Sequence, residues 1–498
     1  MMVNRRTVLA YLLTSPGYLP TSRNGVMRQP VLGLVATRQR TIPDNVTTVD
    51  STNNSLNSRM TCVAPTGNSI TGIRLALPGF GYVPPESNLT GSYTATAAVE
   101  YPVGVFTPVT NGGVRPLVVP PAQQAAAFDL LPIAIPAGAT FWIKTFVQWT
   151  GSFRLCGQCA CNITADWTNR GVGLADNTLT ATTFATTSGT VGFGPIVYAT
   201  FSGAQRCLGI LGDSIGYASA DAPNPLNNDH FFERALVDAV PALNVSFNGN
   251  TLQEFDASGT GRRYILNGSI DRLICELGVN DTFSPITLAA LQSRAQLAWS
   301  TFLSAGVKVW QTTLTPRTTS TDGWATRANQ TIVNATAEAL RIGFNAWIRA
   351  NYASLGLTGY LDFAHAVDPT DSGVWNADGT AGTSGAGFCT VSAGAVSACD
   401  LAVYNSGGNS HGDSYPTGTV PCTVRPYAGD AGVLPTITAT ANGSGNISGF
   451  TVNSAGSGLT YPPMVAVNGA WTVDGTHPNA RGYNEMIYLT GLGPALFA

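Results

Sequence analysis

Lysine is almost missing from this chain: Lys144 and Lys308 are the only two in 498 residues. Charged residues of all kinds make up 11%, against about 25% in ordinary soluble domains, and the formal net charge is −3. A surface so poor in cations offers no electrostatic footprint for nucleic acid or an anionic membrane. Long apolar runs are missing too; none approaches the ~18 residues needed to span a bilayer, so no membrane span is expected. Thr, Ser, Asn and Gly fill the remaining space, as in many extracellular β-proteins. With 44% hydrophobic residues, a chain of this length holds enough core for two or three domains.

Two short stretches carry chemistry. Leu208-Gly209-Ile210-Leu211 is an apolar run that reads as a buried strand and stops abruptly at Gly212-Asp213-Ser214. Near the end, Asp474-Gly475-Thr476-His477-Pro478-Asn479 sets an Asp three residues before a His. A serine hydroxyl is a weak nucleophile and needs a base to take its proton and a third group to orient that base. Ser214, His477 and Asp474 are the residue types for those three roles.

Decoys test the reading. Gly412-Asp413-Ser414 repeats the tripeptide, and Asp378-Gly379-Thr380 repeats the start of the His motif, as expected by chance in a chain with 55 glycines. Ser414 follows Gly407-Gly408-Asn409-Ser410-His411, a loop composition, and Asp378-Gly379-Thr380 runs into Ala381 with no base. His230, His365 and His411 are read as structural.

Between Ser214 and His477 lie two further blocks. Asn244-Val245-Ser246-Phe247-Asn248-Gly249-Asn250-Thr251 reads as a short strand breaking at a glycine, and Asp271 to Asp281 as an apolar strand ending Gly278-Val279-Asn280-Asp281. A tetrahedral intermediate needs fixed hydrogen-bond donors around its oxyanion. The Ser214 N–H, the Gly249 N–H and the Asn280 side-chain amide are the candidates.

With four blocks in this order, residues 205–365 and 471–498 resemble the SGNH (GDSL-type) hydrolase superfamily, named for its Ser, Gly, Asn and His. The resemblance implies a flavodoxin-like three-layer α/β/α fold, hydrolysis or transfer of acyl esters through an acyl-enzyme on Ser214, and no metal or cofactor. Two departures stand outside the motifs: a segment of about 200 residues precedes the nucleophile, and the gap between Asn280 and His477 is wide enough for an inserted small domain.

Composition divides the chain accordingly. Residues 1–39 form an N-terminal extension with a basic start and a short apolar stretch; it faintly resembles a secretion signal but lacks a clear cleavage site. Residues 40–203 alternate in short runs broken by Gly, Pro and Asn, which reads as a β-sandwich or jelly roll. Residues 204–365 alternate strands and helices, with helices expected at 229–240, 286–305 and 327–350 and a strand at 307–314; together with 471–498 they make the hydrolase domain. Residues 366–470 read as a β-rich insertion, whose Gly456-Ser-Gly-Leu-Thr-Tyr-Pro-Pro resembles a short module common in phage tail and bacterial surface proteins.

Cys156-Gly-Gln-Cys159-Ala-Cys161, with Cys62 upstream, and the group Cys389, Cys399 and Cys422 suggest disulfides ahead of zinc or free thiols, since no His supplies a fourth ligand. Disulfides point to an oxidising compartment, so a secreted or extracytoplasmic protein is expected, with cytoplasmic or virion-associated placement as the alternatives. Cys207 and Cys275 read as plain core residues. Arg317, Asp322 and Trp324 follow a strand end, where open α/β sheets bind ligands, and are expected to line the cleft. The substrate expected is an O-acetyl ester on a polysaccharide. A small-acyl arylesterase or lipase is the alternative within the class, and a phage-tail or surface carbohydrate-binding protein with a decayed site is the alternative outside it. The oligomeric state is not legible. The insertion, leading straight into Asp474, is expected to wall the cleft.

Overall fold

The computed structural model describes residues 32–37, 51–82, 85–153, 166–184, 194–221, 231–401 and 412–497. Ahead of the nucleophile lie two antiparallel sheets. One joins Gly33–Leu34, Ile196–Phe201, Ile70–Pro78, Ala125–Ala127 and Leu131–Ile135; the other is built around Ser55–Val63, Thr140–Trp149 and Tyr93–Glu100. Period-2 alternation sends Ile73, Leu75 and Leu77 from the first, and Ala97, Val99, Phe141 and Ile143 from the second, into one shared core.

The centre of the molecule is a five-stranded parallel sheet. Its strands are β1 (Leu208–Leu211), β2 (Ala242–Asn244), β3 (Arg272–Cys275), β4 (Lys308–Thr312) and β5 (Gly359–Leu361), in spatial order β2-β1-β3-β4-β5. The chain steps from β1 to β2 in one direction and then crosses back to β3. Right-handed crossovers therefore place the connections on opposite faces of the sheet. Helix α1 (Phe231–Leu236) follows β1, while α2 (Leu252–Ser258) and α3 (Thr260–Leu266) precede β3. Helices α4 (Leu288–Ser304) and α5 (Ala335–Asn351) follow β3 and β4. After β5 come α6 (Phe363–Val367) and, beyond an insertion, α7 (Ala480–Thr490), which returns to α1: the Phe231 and Tyr483 rings stack at 4.6 Å. This is the flavodoxin-like three-layer order, and its switch point lies at the carboxyl end of β1, where Ser214 emerges.

Several element boundaries differ from the sequence reading. The helix expected over 327–350 starts only at Ala335. Arg327–Asn329 is a 3₁₀ turn, and Gln330–Ile332 pairs with Thr318–Ser320 as a small hairpin. Asn334 then caps α5, its side chain accepting from the N–H groups of Thr336 and Ala337. The helix expected over 229–240 is Phe231–Leu236, followed by Val237 and Asp238 at positive φ. The strand expected from Asn244 to a break at Gly249 is Ala242–Asn244.

Between α6 and α7 the chain forms a six-stranded antiparallel sheet, ordered Ala395–Leu401, Ala386–Ser392, Met464–Val467, Gly418–Arg425, Thr436–Ala441, Ile447–Ser454. A disulfide joins Cys389 and Cys399 across its first pair, and Cys422 is a free thiol. Cys156, Cys159 and Cys161 lie outside the described residues. Cys207 and Cys275 are buried, and burial pushes both thiols up to about 12.

The N-terminal unit docks on the central sheet through the hairpin Phe80–Tyr82 and Glu86–Asn88. Tyr82 stacks on Phe247 at 4.2 Å, and the fully buried Glu86 and Arg262 pair at 2.8 Å. Arg262 also lies over the rings of Tyr82, Phe247 and Phe255.

Candidate active site

β1 is buried throughout, and its run of Leu-Gly-Ile-Leu leaves the sheet at Gly212. The next residues wind into a tight turn: Asp213 O accepts from Tyr217 N at 2.8 Å, Ser214 O from Ser219 N at 2.9 Å, and the Asp213 carboxylate from Ile215 N at 2.9 Å. This holds Ser214 at 7% exposure, at the mouth of the strand.

His477 reaches that serine from 263 residues away, its Nε2 lying 2.8 Å from Ser214 Oγ. The other ring nitrogen, Nδ1, is 2.7 Å from Asp474 Oδ2. Asp474 Oδ1 accepts the N–H groups of Thr476 and His477 at 2.9 and 2.8 Å. Burial alone would raise the Asp474 carboxyl, but the hydrogen bonds and charge of His477 outweigh it and hold the group down at about 2. The acid is therefore ionised wherever the base is needed.

The loop is pinned from several sides. Thr472 Oγ1 donates to His477 O at 2.7 Å and accepts from Gly475 N at 2.9 Å. Gly475 O accepts from Thr318 N and from the Trp375 indole, both at 2.9 Å. Gly475 sits at φ +80°, and a Cβ there would fall 1.9 Å from Thr318 O, so no other residue fits without moving the backbone. The insertion joins in: Asn479 Nδ2 donates to Thr383 Oγ1 at 2.9 Å, and Arg481 on α7 pairs with Asp378 at 2.9 Å. The insertion thus braces the loop and helix that carry the base.

The expected oxyanion donors are placed as follows. The turn bearing Gly249 is tied to the nucleophile turn: Phe247 N donates to Gly212 O at 3.1 Å, and Ser219 Oγ donates to Asn248 Oδ1 at 3.0 Å. Gly249 is exposed, with open space beside it. Asn280 Nδ2 donates to Asp213 Oδ2 at 3.2 Å and to Asn250 O at 3.1 Å, so its amide lies against the residue before Ser214.

The three expected cleft residues separate. Arg317 comes to the site: its Nε donates to Thr476 Oγ1 at 3.2 Å, and its guanidinium lies 4.0 Å over the Phe283 ring. Burial lowers its pKa, against the opposing pull of Asp213 and Asp474. Trp324 supports the loop, its indole donating to Thr318 Oγ1 at 3.0 Å close beside Gly475. Asp322 closes its own turn instead, accepting from Ser320, Thr326 and Asn329, which holds it at about 2.

Ser414, at φ +63° in a bend of the insertion, packs against Gly445, and the decoy Asp378 is the partner of Arg481. His365 is paired with Asp362 and Asp371. His230 and His411 lie outside the described residues. Among the described residues, no three His, Cys, Asp or Glu side chains gather as a metal site, and no helix is long and apolar enough to cross a membrane.

Sequence reasoning passed over Glu276. Its carboxyl is 3% exposed and accepts the N–H groups of Asp213 at 2.9 Å and Gly216 at 3.0 Å. The signal was present, since Glu276 is the one charge within the apolar run Leu273-Ile274-Cys275-Glu276-Leu277.

No family model matches this chain, and no curated protein does. Solved structures similar to it include GDSL-like lipases and esterases. Protein YXIM from Bacillus subtilis is 13% identical, covering 62% of this chain and 68% of its own, with a TM-score of 0.27. A GDSL-like lipase from Bacteroides thetaiotaomicron is 14% identical over 34% of this chain and 75% of its own, at 0.26. TesA is 20% identical over 35% of this chain and 87% of its own, at 0.24. At such scores the likeness carries no argument about activity, and the site stands on its own geometry.

Proposed function

We propose that this chain is a serine ester hydrolase of the SGNH type. One observation carries the reading: a strand-end serine 2.8 Å from an imidazole whose other nitrogen meets a carboxylate at 2.7 Å. A structural histidine has no need of both contacts; a general base has.

In this reading Ser214 Oγ attacks the ester carbonyl as its proton passes to His477 Nε2. Asp474 keeps Nδ1 protonated and balances the imidazolium. The Ser214 and Gly249 N–H groups and the Asn280 amide receive the oxyanion, Asn280 giving up one of its two long bonds to do so. On collapse, the alcohol leaves with the proton from His477, and the acyl group stays on Ser214. Water, deprotonated by His477, then releases the acid. Each donor so placed is worth about 10²–10³-fold in rate.

The acyl group is read as small. Acetyl is the acyl group the reading favours. The alcohol part is read as a carbohydrate, in keeping with the two antiparallel sheets before the nucleophile, which we read as an accessory β-sandwich, and with the insertion that braces the loop carrying His477. An exposed setting, secreted or extracytoplasmic, fits the Cys389–Cys399 disulfide.

The test is turnover of 4-nitrophenyl acetate against longer acyl esters and acetylated xylan or pectin, with Ser214→Ala and Ser414→Ala as paired controls. The reading expects acetyl preference, loss of turnover in Ser214→Ala alone, and fluorophosphonate labelling at Ser214. Labelling at Ser414, or full activity in Ser214→Ala, removes it.

A further inference from the structure

We propose that Glu276 is a positioning residue for the oxyanion hole: its protonated carboxyl shares a hydrogen bond with Asp213 and, through Asp213, holds the Asn280 amide beside Ser214. This rests on the ester-hydrolase reading above.

The geometry is a chain of four groups. Glu276 Oε2 accepts from Asp213 N and Gly216 N, anchoring both ends of the nucleophile turn. The Asp213 N–H on Glu276 Oε2 brings the two buried carboxyls close enough to interact directly. Asp213 Oδ2 accepts the Asn280 amide at 3.2 Å, and Oδ1 accepts Ile215 N. Asp213 is wholly buried and Glu276 nearly so. An ionised carboxylate can only accept, so two of them in contact need one proton between them. Two anions touching in a dry site also repel strongly, with nothing to screen them.

The charged and titratable groups facing the pair are His477 on the loop after the insertion, Asp281 after β3 and Arg317 after β4. Burial, then the Asp213 charge, pushes the Glu276 carboxyl well above the usual carboxylate range, and burial raises Asp213 as well. One proton held by the pair would relieve both the repulsion and the burial cost. The fit is close: a Cβ at Gly212 or Gly216 would fall 2.6 or 3.0 Å from Glu276 Oε2. The carboxyl is clamped between two glycines that leave it this room.

A raised folded-state pKa means that folding takes up a proton above the ordinary carboxyl value of 4.5. Stability and alignment are complete below that value and are lost as pH rises through the pair's own titration. Glutamine keeps a donor for Asp213 and an acceptor for the two N–H groups but does not titrate. The test is the pH profile of kcat on 4-nitrophenyl acetate for wild type, Glu276→Gln and Glu276→Leu, with infrared detection of a protonated carboxyl in resting wild type. Wild-type kcat should fall on the alkaline side as the carboxylic-acid band disappears. Glu276→Gln should lack both band and fall, with neutral kcat lowered by less than about tenfold. Glu276→Leu should lose on the order of 10²–10³ in kcat, the scale of a lost oxyanion donor, with KM little moved. No acid band in wild type, an unchanged alkaline limb in Glu276→Gln, or near-wild-type kcat in Glu276→Leu each overturns the proposal. The infrared reading needs no turnover, so an inactive chain that keeps the band would refute the esterase reading and leave the shared proton standing.

Discussion

The Trp375 indole N–H and the Gly475 carbonyl meet at 2.9 Å across 100 residues of sequence. Gly475 lies between the acid and the base of the proposed triad, so a fully buried tryptophan where the insertion departs helps fix the spacing of Asp474 and His477. Trp375 is itself held by Gln330, which donates to Trp375 O and accepts from Trp375 N, both at 2.9 Å.

Trp375→Phe keeps an aromatic side chain but removes the indole donor, leaving the Gly475 carbonyl with Thr318 N alone and a cavity where the larger ring stood. The expected cost in stability is about 2–4 kcal/mol, with a larger fractional change in kcat than in KM. Gly475→Ala should be worse, because the backbone at φ +80° must move to clear Thr318 O. Unfolding midpoints and single-turnover rates of the two variants check the order. Equal activity in Gly475→Ala and wild type would show that the loop tolerates displacement.

Asp474 is held at about 2 against an ordinary 3.8. A depressed folded-state pKa contributes stability that is present above 3.8 and lost as pH falls toward 2. Asp474→Asn should therefore differ from wild type in melting temperature at pH 5–7 and converge with it near pH 2. Its kcat should fall on the order of 10⁴-fold, since the imidazole tautomer is no longer set. Melting curves across that pH range, with kcat at neutral pH, test both parts.

Glu86 and Arg262 tie the N-terminal sheets to the catalytic unit, and neither side chain is exposed. Removing one member strands the other charge, which costs about 3–5 kcal/mol. Glu86→Ala should lower the urea midpoint accordingly. It should also slow turnover, because Arg262 lies over Phe247, two residues before Gly249. A variant as stable as wild type would mean that the two units hold together without this pair.

Arg317 is half-buried beside the triad, with its Nε on Thr476 and its face on Phe283. Arg317→Ala should lower kcat/KM about tenfold, roughly 1.4 kcal/mol, mainly through KM. Steady-state kinetics on a small aryl acetate and on an acetylated polysaccharide would separate a substrate contact from a loss of loop order, which would appear in kcat instead.

Local chemistry determined much of this. Four apolar residues ending in glycine make β1 and bring Ser214 out of the sheet, because strand burial is written in neighbouring residues. The Asp474–His477 spacing is also local: both ring and backbone contacts form within one turn. The start of α5 escaped the sequence reading because the amphipathic pattern runs on upstream of Asn334, whereas the chain there pairs with Thr318–Ser320 and the cap decides the boundary. Long-range partners were beyond any local pattern. Asp213 and Glu276 stand 63 residues apart, and Ser214 and His477 263 apart. Whether a buried carboxylate shares a proton, and how closely His477 approaches Ser214, depends on what the folded chain brings within about 3 Å of an atom. Only packing of the sheets and helices decides that.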